Sequence, residues 1–65
     1  MTIEQSLAEE LNEMINEDNI PLSITEDIHE ITARLQRGEM MVSDLKGMDV
    51  FIEEKIKEAM QRLQR

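Results

Sequence analysis

The chain has no cysteine, tryptophan or tyrosine, and only one histidine, one phenylalanine, one proline and two glycines among 65 residues. Each scarcity removes a class of structure. Without cysteine there is no disulfide framework and no thiolate metal site, and one histidine falls short of the ligand sets that zinc centres use. The acidic stretch EDNIPLSITEDI, Glu17 to Ile28, lacks the glycine that a calcium loop of the EF-hand kind needs at its sixth position. With so few glycines there is no phosphate-cradling loop, and no serine sits in a nucleophile elbow. Acid–base chemistry needs a concave, water-excluding pocket that perturbs a carboxyl group, and a short chain with one aromatic side chain offers little material for it. The expectation is a protein that is not an enzyme, with no catalytic residue, no cofactor and no metal.

Long apolar runs are also missing. Nothing approaches the 18 or so residues that cross a bilayer, and Met1 begins no basic-then-apolar secretory signal. A cytoplasmic protein with no membrane span is expected, and the lack of cysteine fits a reducing compartment.

Basic residues are absent from half of the chain. All seven lysines and arginines lie from Arg34 onward, whereas the first 33 residues hold nine acids, and the net charge is −8. A free-standing nucleic-acid binder needs a basic footprint, and an anionic membrane surface would repel this chain. Direct nucleic-acid binding is therefore not expected.

A chain of this length makes a single small domain, residues 1–65, and buries a reduced share of its surface. Small domains ordinarily add disulfides, a metal or another protein surface. With the first two excluded, the expectation is a homodimer or a chain that is stable with a protein partner.

What is present is helical patterning, and it predicts an all-α fold: a small antiparallel bundle of three helices at about 3–17, 24–37 and 50–64, with a short helical turn near 43–47. In the first helix Thr2 and Gln5 have capping-box spacing, and Ile3, Leu7, Leu11 and Met14 form a stripe widened by Ala8 and Ile15. Pro21 breaks the pattern. Ser23 with Glu26 suggests a second capping box, Ile24, Ile28, Ile31 and Leu35 form a narrow seam, and Gly38 stands at the C-terminal position. Glu26 and Asp27 near its start and Arg34 and Arg37 near its end suit the helix dipole. Asp49 is the expected N-cap of the third helix, whose face is Ile52, Ile56, Ala59 and Leu63, with Phe51 and Met60 beside it. Glu53 with Lys57 and Glu58 with Arg62 have the four-residue spacing of helical ion pairs, and Arg62 and Arg65 suit its C-terminal end.

Two features stand out as candidate sites. Glu9, Glu13 and Glu17 fall on one face of the first helix, with Glu10 beside them and Asp18 just after, against both the like-charge rule and the helix dipole. A solvated face is the ordinary account, and neutralisation by Lys55, Lys57 or Arg62 across the bundle is another. The functional account is a docking surface for a protein partner with a basic surface, where complementary charge speeds encounter and filters partners.

The second feature is GEMMVSDLKGMDVF, Gly38 to Phe51, which is too apolar for a plain connector. Core packing is the ordinary account of its methionines; an apolar interface of Met40, Met41, Val42, Leu45, Met48 and Phe51 is the functional one. His29, beside the isoleucine seam, is expected to be a solvated surface histidine.

The leading functional expectation is thus a small regulator, inhibitor or adaptor that binds a protein through Met40, Met41, Leu45, Met48 and Phe51, flanked by Glu9, Glu13, Glu17 and Asp18. A second is a nucleic-acid mimic that fills the groove of a nucleic-acid-binding protein with carboxylates standing in for phosphates. A third is an antitoxin-like or helix-turn-helix DNA-binding module, although its turn from Gly38 to Asp49 would exceed the usual length.

Overall fold

Helix α1 (Ile3–Asn16) starts at the predicted capping box: the Gln5 N–H donates to Thr2 Oγ1 at 3.1 Å and the Thr2 N–H donates to Gln5 Oε1 at 3.2 Å. The computed structural model describes residues 2–64 of the chain. Helix α2 (Leu22–Arg37), a 3₁₀ turn (Val42–Leu45) and helix α3 (Val50–Leu63) follow, with no strand among the described residues. The all-α bundle expected from the sequence is the fold observed. Arg65, read above as a C-terminal cation, lies outside the described residues.

The second helix departs from expectation at its start. It begins at Leu22, and no side chain caps it: Ser23 lies inside the first turn, so the Ser23–Glu26 capping box does not form. Pro21 takes the N-cap position, with φ −58° and ψ 142°, and its carbonyl accepts from the Ile24 N–H and from Thr25 Oγ1. The ring presets φ and leads the chain straight into the helix, so the serine two residues later is too late to cap it. The expected acids of its first turn accordingly belong to the second.

Both interhelical corners close the same way. At the end of α2 the Gly38 N–H reaches the Leu35 carbonyl and the Glu39 N–H reaches Arg34, a Schellman motif with Gly38 at φ 75°. At the end of α1 the Asp18 N–H reaches Ile15 and the Asn19 N–H reaches Met14, and there Asp18 takes φ 61°. Asp18 thus holds a left-handed conformation that glycine adopts without steric cost. Before α3, Asp49 accepts from the Phe51 N–H as expected, and the 3₁₀ turn is closed by Asp44, whose side chain accepts from the Met41 N–H.

The core joins Leu7, Ala8, Leu11 and Met14 of α1 to the seam of α2, to Leu45 of the turn and to Ile52, Ile56 and Ala59 of α3. Ile3, expected on the stripe, is half exposed in the first turn of α1. Thr32 is buried, and its hydroxyl donates to the Ile28 carbonyl at 2.8 Å, which satisfies the one polar side chain buried in the core among the described residues. Helix α1 is the central element: α2 and α3 both pack on it and touch each other little. Contacts at its two ends set the directions. Near the start of α1, Glu4 accepts from the Val42 N–H, and just past its end Glu17 meets Arg62 at the end of α3. So α3 runs with α1, α2 runs against both, and the splay of α2 from α3 leaves a groove between them.

Candidate functional site

The acidic row of α1 is divided by the bundle. Glu10 and Glu17 turn toward α3, where Arg62 Nε lies 2.7 Å from Glu10 and the two terminal nitrogens of Arg62 donate to both oxygens of Glu17 at 3.1 and 2.9 Å. This bidentate hydrogen bond, aided by the guanidinium charge, holds the Glu17 carboxyl below its ordinary value and raises Arg62. Internal neutralisation is therefore the account that fits these two acids. Glu9 and Glu13 are exposed, as is Asp18, and neither glutamate is paired with Arg62, although the charge of Glu13 also helps to raise it.

Neither ion pair expected within α3, Glu53 with Lys57 or Glu58 with Arg62, forms. Arg62 goes to α1, while Glu58 accepts from Asn19 and lies 3.5 Å from Lys55. Glu53 accepts from the Gly47 N–H at 3.2 Å, tying α3 back to the loop before it. A tertiary contact that satisfies more hydrogen bonds displaces an exposed pair worth a few tenths of a kcal/mol.

The apolar candidates fall in three places. Leu45 is only 4 % exposed and belongs to the core rather than to an exposed patch with Met41 and Phe51. Met41 and Phe51 project into solvent at 61 and 63 % exposure, Phe51 beside the equally exposed Val50 at the start of α3. Met40 and Met48 are half-buried and line the groove between α2 and α3, a depression of about 270 Å³ with Ile31 and Ile52 as its other apolar walls.

This groove changes which acids flank the methionines. Its rim carries Asp27 and Glu30 of α2 and Asp49, with Arg34 as its basic member, and no residue of α1 lines it. Arg34 is drawn to Glu30 at 2.7 Å. The acidic flank of the methionine surface is α2, and the row of α1 lies elsewhere, with Glu10 and Glu17 at its edge with α3. Sequence reasoning passed over Asp27, Ile31 and Ile52 as site residues. The signal was present in the spacing of Asp27, Ile31 and Arg34, which follow one edge of α2 at steps of four and three. His29 is exposed on α2, away from these walls.

Among the described residues, no group of three or more His, Cys, Asp or Glu side chains is placed to hold a metal ion. No helix of the described residues is long and apolar enough to cross a membrane. The groove presents polarizable thioether walls under a carboxylate rim.

Residues 1–63 match the YgzA protein family, and the chain belongs to that family. It is similar to the protein YgzA of Bacillus subtilis (strain 168), at 36 % identity over 61 residues that cover 94 % of this chain and 91 % of the relative. Neither description names an activity, a ligand or a partner. No solved structure matches the chain.

Proposed function

We propose that this YgzA-family chain is a non-enzymatic cytoplasmic regulator, inhibitor or adaptor that seats an apolar side chain of a protein partner between α2 and α3, with basic residues of the partner facing the rim. The groove itself carries the reading: Met40, Met48, Ile31 and Ile52 form an apolar seat beneath Asp27, Glu30 and Asp49. Methionine adapts to the shape of an occupant, and excess carboxylate on the rim favours an approaching cation. The exposed Phe51 supports the same class of function. A chain with one phenylalanine places it outside a core short of large side chains, and exposed aromatics of this kind mark contact surfaces.

Non-enzymatic action is supported by the character of the displaced titrations, since Glu17 and Arg62 are shifted by each other in a surface ion pair. The nucleic-acid mimic has less support, because Arg62 draws two acids of the α1 row inward. A helix-turn-helix is disfavoured by an acidic first turn on α3, where Asp49 and Glu53 would meet phosphates, and by the scant packing of α2 on α3.

The test is affinity capture from a lysate of the native host, run with three baits: the natural chain, Asp27→Lys with Met48→Lys in the groove, and Glu9→Lys with Glu13→Lys on α1. A protein with a basic surface that is held by the first and third baits, lost on the second and released by salt supports the groove. Loss on the third bait alone moves the site to α1. Equal retention on all three defeats the proposal.

A further inference from the structure

A second depression lies on the other side of α3, against the 3₁₀ turn, with a volume of about 490 Å³ and no contribution from α1 or α2. Leu45 and Ile56 form its floor at 4 and 7 % exposure, and Val42, Val50 and Met60 form its walls. Its charged rim consists of Lys46 and Lys57 against Glu53 and Glu54, so it is neutral. The groove between α2 and α3 has three acids to one base and is not.

We infer that this neutral face is the contact between two copies of the chain, which pair their α3 helices antiparallel about a two-fold axis. Two molecules of net charge −8 repel each other, and they approach most easily through a face whose own charges cancel. The order of charges along α3 selects the direction. Glu53 and Glu54 precede Lys57, so a parallel alignment sets like charge on like. Antiparallel alignment sets Glu54 of each copy against Lys57 of the other, and symmetry makes the pair twice. The same register lays Val50 of one copy over Met60 of the other, which covers a valine that is 64 % exposed in the single chain. Phe51, the outward acids of α1 and the groove between α2 and α3 stay free. A contact along one 14-residue helix buries on the order of 1,000 Å² in total, at the lower end of specific interfaces, so the dimer dissociates on dilution.

Sedimentation equilibrium of the full chain from about 1 μM to about 1 mM covers the range in which a small interface dissociates. The natural chain shows a monomer–dimer equilibrium. Glu54→Lys and Lys57→Glu each weaken it roughly tenfold or more by opposing like charges, and the two together restore it. General charge repulsion gives a different pattern, since Glu54→Lys lowers the net negative charge and would then tighten association. Val50→Ser, at an exposed position in the first turn of α3, also weakens the dimer, and circular dichroism checks that the helices persist in every variant. A chain that is monomeric throughout overturns the inference and leaves the face to another occupant. A dimer indifferent to both single charge reversals also overturns it, by locating the contact elsewhere.

Discussion

Arg62, in the last turn of α3, closes on Glu17 just beyond the end of α1 through two hydrogen bonds of 3.1 and 2.9 Å, while its Nε lies 2.7 Å from Glu10. One guanidinium fastens the end of the third helix to two turns of the first. Replacing Arg62 by Gln lowers the melting temperature more than replacing Lys55, whose nearest carboxylate is 3.5 Å away on its own helix. High salt reduces this difference, because Glu17 is half exposed and solvent screens the pair.

The same pair fixes a pH dependence. The folded Glu17 carboxyl titrates below the ordinary 4.5, so in that interval the unfolded chain binds the proton first. Its contribution to stability is present above about pH 4.5 and is lost as pH falls through the lower, folded value. Arg62 is raised above its ordinary value by the same pair, so its side of the linkage is present throughout the neutral range. Thermal unfolding between neutral pH and acid checks this: the gap between the natural chain and Arg62→Gln narrows below pH 4.5.

Asp18 and Gly38 occupy equivalent corners in the same left-handed conformation, at φ 61° and 75°. Asp18→Gly relieves the steric cost and removes an acid from the unfavourable end of α1, for a gain of roughly 0.5–1 kcal/mol. Gly38→Ala introduces that cost and loses about 1 kcal/mol. No atom lies within 4 Å of the new Cβ, so backbone conformation alone is at issue. Urea denaturation of the two variants measures both signs.

Two serine- and aspartate-based caps look alike in sequence and differ in structure. Asp49→Ala removes the acceptor for the Phe51 N–H and costs about 1 kcal/mol. Ser23→Ala stays within about 0.5 kcal/mol of the natural chain, because Ser23 caps nothing and is exposed. A loss of similar size at Ser23 in chemical unfolding would contradict the proline-led start of α2.

Two neighbours in the apolar segment should separate as sharply. Leu45→Ala opens the core beneath the 3₁₀ turn and costs about 2–4 kcal/mol. Phe51→Ala, at 63 % exposure, leaves stability within about 0.5 kcal/mol. Denaturation midpoints compare the two, and capture assays on Phe51→Ala read any effect on a partner.

The three helices were legible because their determinants are local. The stripe of α1, the seam of α2 and the caps at Thr2, Asp49 and Gly38 each act within a few residues. The apolar segment was legible as a structured corner for the same reason, with Gly38, the turn at Val42–Leu45 and Asp49 as its punctuation. The start of α2 was misplaced because two local signals compete there, and the fixed φ of Pro21 acts before Ser23 can. The candidate site was legible only in its parts. Met40, Met48 and the acids of both helices could be picked out, but their grouping could not.

The sequence by itself determined which segments are helices and where they end, since propensity, capping and periodicity depend on residues three or four apart. It also determined that acids outnumber bases in the first half. Tertiary structure decided the partners: Arg62 to Glu10 and Glu17, Leu45 to the core, Met40 and Met48 to a groove flanked by Asp27 and Glu30. Those choices depend on how α2 and α3 splay around α1, a relation among residues far apart in the chain that no local spacing encodes.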